Sequence, residues 1–157
     1  KTGLLDEKLF TALAKSIEPR VHDFNSQDVA NTAWAFAKAC HLDAPLFTAL
    51  SRSSERCLHD FNTQDLVNTA WAFAKVGHCD AELFKAVARS IMGRRLDELN
   101  AAHIANIAWA FAKAGHEDAE LFAALSRSAE ERACDFDAQG LANVAWTFAN
   151  AGQVDAQ

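Results

Sequence analysis

NTAWAFAKA at 31–39 returns as NTAWAFAKV at 68–76, NIAWAFAKA at 106–114 and NVAWTFANA at 143–151. The phrase centres on Trp34, Trp71, Trp109 and Trp146, which stand 37, 38 and 37 residues apart. A fixed period in this range marks a repeat array, in which each unit buries its apolar face only by stacking on its neighbours. Arrays of this kind build long binding surfaces far more often than catalytic pockets.

Within the second copy the pattern reads helix, turn, helix. Asn62 can cap a first helix, with Asp65 three residues on completing an approximate capping box. That helix runs through Gln64, Leu66, Asn68, Trp71, Phe73 and Lys75, and Gly77 is expected to end it in the left-handed conformation. Gly115 and Gly152 hold the position of Gly77, whereas Cys40 departs from it. Asp80 caps the second helix, as Asp43, Asp118 and Asp155 do in their copies. Leu83, Phe84, Val87, Ile91 and Leu96 recur at helical spacing, so this helix is expected to end near Asp97. Leu99 enters the next unit where Phe24, Phe61 and Phe136 stand in the other copies. The extra residue of this copy falls within Ile91–Leu99, near Gly93, and should alter a helix end but not the topology.

The chain divides into a partial unit over 1–22, units at 23–60, 61–97 and 98–135, and a partial unit over 136–157. Leu4–Val21 supplies only a second helix, with Leu9–Phe10 matching Leu46–Phe47. The expected fold is all-α: a superhelical solenoid of stacked hairpins, about eight helices, in a single helical-repeat segment. Lys at position 1 and units cut at both ends point to a fragment of a longer chain.

Composition narrows the function classes. Half of the 157 residues are apolar, so the chain is not disordered by composition. Its longest apolar runs are far short of a membrane span. Cys40, Cys57, Cys79 and Cys134 show neither CxxC spacing nor pairing with His; they read as free thiols, mostly small core residues. There is no nucleophile elbow and no phosphate-binding glycine loop. No catalytic residue, metal site, cofactor or small-molecule substrate is therefore expected, and the segment reads as a non-enzyme.

On a wheel at 3.6 residues per turn, Val29, Ala30, Ala33, Phe36 and Ala37 form a broad apolar arc with Trp34 at its edge. Gln27, Asn31 and Lys38 make a narrow polar stripe beside that Trp. First helices of stacked hairpins commonly line the concave side, so the strip becomes a ladder. Its rungs are Gln27/Asn31/Lys38, Gln64/Asn68/Lys75, Ala102/Asn106/Lys113 and Gln139/Asn143/Asn150. An ammonium would recur every ~10 Å, the usual stacking distance of helix pairs. Single-stranded RNA can follow such a ladder, with amides on base edges and Lys on phosphates. Asp28, Asp65, His103 and Gly140 share one variable position at the strip's edge and are natural specificity candidates.

Plainer readings stand beside these. The four Trp read as core anchors, with base stacking at the groove edge as the other reading. The repeated Asn could bond a neighbouring carbonyl. Lys38, Lys75 and Lys113 sit in last helical turns, where the dipole favours a cation anyway. His41, His78 and His116 read as capping or solvent-exposed. Lys15, Arg52, Arg89 and Arg127, with Arg56, Arg94, Arg95 and Arg132, read as a solvated outer face. The formal charge of −6 argues mildly against indiscriminate polyanion binding, although a local basic stripe remains compatible with it. A protein-interaction scaffold that accepts a peptide or partner helix in the same groove is the alternative function.

The phrase LANxAWAFAKAGHxDAELFxAL, nearly whole at 104–125 and 66–87, resembles the octotricopeptide and heptatricopeptide helical repeats of organelle proteins. These are related to FAST-kinase-like, RAP-domain proteins and to helical-repeat subunits of mitochondrial RNA-editing complexes. The likeness covers essentially the whole chain, with DAELF at 80–84 and 118–122 where octotricopeptide repeats carry their PPPEW-type signature. It implies binding of organellar single-stranded RNA in a mitochondrion or chloroplast, protein partners in addition, and a role in RNA processing, stability or editing.

Overall fold

The computed structural model describes the backbone of residues 3–94 and 96–154, and the side chains of 6–94 and 96–151. Among these residues there are eight α-helices and no strand: α1 (Gly3–Ile17), α2 (Ser26–Lys38), α3 (Ala44–Cys57), α4 (Thr63–Val76), α5 (Ala81–Met92), α6 (Ala101–Lys113), α7 (Ala119–Glu131) and α8 (Ala138–Val154). None is long and apolar enough to cross a membrane. Each second helix (α1, α3, α5, α7) gives way to a 3-10 turn, the third being Leu96–Glu98. The expected end of α5 near Asp97 is therefore corrected: the α-helix stops at Met92, and Leu96 belongs to the turn. The added residue near Gly93 is absorbed there without a change of topology.

The repeated phrase explains the packing. Ala33, Ala37, Ala70, Ala72, Ala74, Ala108 and Ala110 are all buried. Small side chains let the first helices approach closely. α2 lies against α4, α4 against α6 and α6 against α8, while the second helices meet one another at fewer places. A double row packed more tightly on one side curves toward that side, so the first helices form the inner row of a superhelix.

Between the rows runs a column of rings. Phe36, Phe47, Phe73, Phe84 and Phe111 are almost fully buried. Phe10 meets Phe36 edge-on at 4.9 Å between centroids, Phe47 meets Phe73 at 5.1 Å, and Phe84 meets Phe111 at 5.1 Å. In each pair a second helix of one unit touches the first helix of the next. Offset and edge-on pairs of this kind add about 0.5–1.5 kcal/mol beyond their buried area. Units are tied by polar contacts too: buried Ser51 of α3 donates to Asp80, the cap of α5, at 2.7 Å. That hydroxyl holds the Asp80 carboxyl below its usual range.

Helix ends follow the expected chemistry, with exceptions. Asp43, Asp80 and Asp118 each accept backbone N–H groups at the start of a second helix; Asp155 lies outside the described residues. Gly77 and Gly115 take φ of 76° and 69°. Cys40 adopts the same left-handed backbone at φ 52°, although it has a side chain. Gly152 is a correction. α8 continues through it to Val154, because a glycine permits a left-handed stop without imposing one. The residue after it is Gln153, where the other copies have His. The cysteines are free, but Cys40, Cys79 and Cys134 are exposed and Cys57 is half-buried. The first three occupy turns, so the core role expected of them does not hold.

Replacing Cys40 by Gly removes the steric penalty of a left-handed non-glycine residue, roughly 1 kcal/mol. Thermal unfolding followed by circular dichroism should show a midpoint raised by about 2–4 °C in the Cys40→Gly chain. Gly77→Ala, which introduces that penalty, should lower it by a similar amount.

Candidate nucleic-acid interface

The first helices begin on a shared device. Asn25, Asn62 and Asn100 accept the N–H of Asp28, Asp65 and His103, whose side chains accept the cap N–H in return. The position expected to vary for specificity is thus occupied by capping partners: Asp65 is only 6% exposed, and Asp28 and Asp65 are spent on their own helix starts. In the fourth copy Gly140 has no side chain to return the bond, and its N–H donates to Asp137 at 2.6 Å.

With register fixed at these caps, the polar stripe emerges on the surface. Gln27, Asn31, Lys38, Gln64, Lys75, Ala102, Asn106, Lys113, Gln139, Asn143 and Asn150 are exposed, and Asn68 is half-buried. Gln64 Nε2 donates to Asn68 Oδ1 at 2.8 Å. Across the α4–α6 step, His103 Nε2 lies 3.0 Å from Gln64 Oε1. The Asn side chains do not form a continuous structural ladder. The side chains of Asn31, Asn106 and Asn143 have no hydrogen bond to other described residues, and that of Asn150 turns back to the Trp146 carbonyl.

The tryptophans require a correction. None belongs to the buried core; Trp34 is 42% exposed and Trp146 61%. Trp71 and Trp109 are half-buried against the core edge, their ring centroids 6.2 Å apart and tilted by 33°. The Phe two residues on, about 200° around the helix, is the residue that faces inward and anchors the stack. Each indole therefore flanks the strip, and Lys38 Nζ sits 5.5 Å from the Trp34 ring centroid, a cation–π contact.

Two further expectations change. His41, His78 and His116 are half-buried packing residues. Their N–H groups donate to the carbonyls of Phe36, Phe73 and Phe111. The rings of His41 and His78 rest on two Phe each, and His116 stacks on Phe84 at 5.3 Å. The left-handed residue before each His folds the chain back so that this contact forms, as in a Schellman ending. On the outer face Lys15, Arg52, Arg56, Arg89 and Arg127 are exposed, as expected. Arg94 and Arg132 instead donate to the carbonyls of Phe61, in the α3–α4 connection, and Asp97, in the α5–α6 connection. Arg95 lies outside the described residues.

Beyond the anticipated ladder the structure adds a cleft of about 330 Å³ between α6 and α8, reached by Asn106, Gln139 and Asn143. The sequence carried two signals for it: Ala102 stands where the other copies have Gln, and Gly140 where they have Asp or His.

A helical solenoid that presents this strip can now be compared with known proteins. The family model described as RNA-editing substrate-binding complex 6 protein matches residues 2–155. The chain belongs to this family. No curated protein matches it.

Within this editing-complex family member, His103 both caps a first helix and bridges two units. Asn100 N–H points at its Nδ1 at 3.4 Å, so Nδ1 accepts and Nε2 carries the proton toward Gln64. Burial lowers its pKa from the usual imidazole value. A second proton would place an N–H on Nδ1, opposite the N–H of Asn100. Because the folded pKa is lowered, the stabilisation is complete above the unfolded value of about 6.5 and is lost as pH falls through it. Denaturant midpoints measured from pH 7.5 to pH 5 should therefore fall more steeply for the native chain than for His103→Asp. That variant installs the capping residue of the first two copies, Asp28 and Asp65, and removes this titration.

Proposed function

We propose that this chain is an RNA-binding helical-repeat subunit of an RNA-editing complex, housed in the mitochondrion, with no catalytic activity of its own. Single-stranded RNA runs along the inner row of first helices. Family membership supports the editing-complex role. The octotricopeptide type and the FAST-kinase-like and RAP kinship rest on sequence resemblance alone, and nothing in the family match favours a chloroplast.

One observation carries the RNA reading. Trp34, Trp71, Trp109 and Trp146 flank, in register, a strip of exposed amides closed on one side by Lys38, Lys75 and Lys113. Each element suits a different part of a single strand. Indole faces accept bases at about 1–3 kcal/mol per stacked base. Amides both donate and accept, so they can address base edges, and the ammonium groups neutralise phosphates. Asn to Lys within one helix spans seven residues, about 10 Å, which separates the base side from the phosphate side of the strip.

The acidic net charge and the exposed indoles also suit a peptide or partner helix in the same groove, and salt dependence separates the two. RNA binding with three Lys–phosphate contacts should weaken linearly in log–log coordinates as salt rises. Changing Lys38, Lys75 and Lys113 together to Ala should make that slope shallower by about two, at roughly 0.7 per phosphate on a single strand. Fluorescence anisotropy of a labelled oligoribonucleotide measures both slopes. Affinity indifferent to the triple change would sink the strip assignment, and absence of RNA affinity would leave the peptide reading.

A further inference from the structure

The strip is not uniform along its length. At the α4–α6 step, Gln64 from one helix and His103 from the next meet across the gap and close it. At the α6–α8 step the same two positions hold Ala102 and Gly140. Both bridging side chains are missing there at once, and the cleft of about 330 Å³ lies at that step. Neither loss alone would open it, since a Gln or a His would reach into the gap from its own side.

The chemistry inside the cleft is specific. Asn106, Gln139 and Asn143 line it, and none of these amides is hydrogen-bonded to another described side chain, unlike the Gln64–Asn68 pair. Asp135 and Asp137 border it, with Phe136 half-buried in its wall. Carboxylates repel phosphate but accept N–H groups. Asp137 already receives the Gly140 N–H on one oxygen, and among the described residues no donor reaches its second oxygen. Lys113 lies two helical turns further along α6 from Asn106, about 10 Å away, where a phosphate can sit clear of the carboxylates.

We infer that the cleft between α6 and α8 takes one unstacked RNA base that carries an exocyclic amino group. The inference rests on the RNA-binding reading of the strip and deepens it by fixing where sequence is read. The aromatic wall meets the base face, the amides meet its edge, and the carboxylates accept the amino hydrogens. Adenine, cytosine and guanine supply such a group; uracil does not. The remaining steps follow the backbone through stacking and Lys–phosphate contacts, which carry no sequence information.

Ala102→Gln tests this directly. It restores the residue found at 27, 64 and 139, sits at an exposed helical position, and fills the cleft from one side. Gly140 is less suited, because an added Cβ would meet Asp137 Oδ1 at 3.0 Å and Phe136 Cδ1 at 3.1 Å. The probes are an oligouridine and the same oligomer with one central adenosine, read by anisotropy, with circular dichroism and thermal unfolding as folding controls. The native chain should prefer the adenosine oligomer about fivefold or more, the lower range for one good base-edge contact. Ala102→Gln should erase that preference while its salt slope, set by the Lys–phosphate contacts, stays unchanged. If the native chain binds both oligomers equally, or Ala102→Gln keeps the preference, the cleft assignment is overturned and the strip reading stands. If neither chain binds RNA while both stay folded, the strip reading falls and the cleft assignment with it.

Discussion

Close approach of the first helices is the constraint on which everything else depends. It exists because the AWAFAKA phrase places a series of buried Ala side chains where the first helices meet. A larger side chain at Ala33, Ala70 or Ala108 would spread the inner row, and burial of these residues leaves no room to absorb it. The tight inner row sets the curvature. It also brings Trp71 and Trp109 to within contact distance and keeps Gln64 within reach of His103.

The ring column performs the complementary task of holding the outer row on the inner one. Each Phe pair joins a second helix to the following first helix, and the hairpin His packs into the same cluster. A hairpin turn is thus structurally part of the core of the unit before it. This is how a chain built from short-range turns acquires contacts that propagate from one end to the other. It also explains why unlike residues, Cys40 and Gly77, share one backbone conformation: the His contact demands it, and the sequence of the turn only sets its cost.

Architecture was legible in the sequence because it is periodic. Period, cap residues and the wheel located the helices, most caps and the exposed stripe from Gln27 to Asn143. Three features were hidden, each for a physical reason. Trp and Phe are both large and apolar, and their assignment to surface and core turns on a helix rotation that a residue scale does not weigh. The hairpin His looked solvated because the chain reversal that presses it onto Phe rings is a tertiary event. Arg94 and Arg132 look like any outer-face cation until the 3-10 connections bring carbonyls beneath them. The cleft, by contrast, was written as two absences, Ala102 and Gly140, whose coincidence matters only once residues 38 apart are known to face each other.

Trp71 and Trp109 have a consequence outside binding. Two indoles 6.2 Å apart and inclined by 33° are close enough for their transition dipoles to couple. A coupled pair imprints a signed couplet on the near-ultraviolet and indole-region dichroism, whereas the isolated Trp34 and Trp146 contribute single bands. The couplet reports the distance and twist between two adjacent units, which makes the chain its own gauge of superhelical pitch. Any ligand that straightens or tightens the solenoid would be visible in that signal without a label.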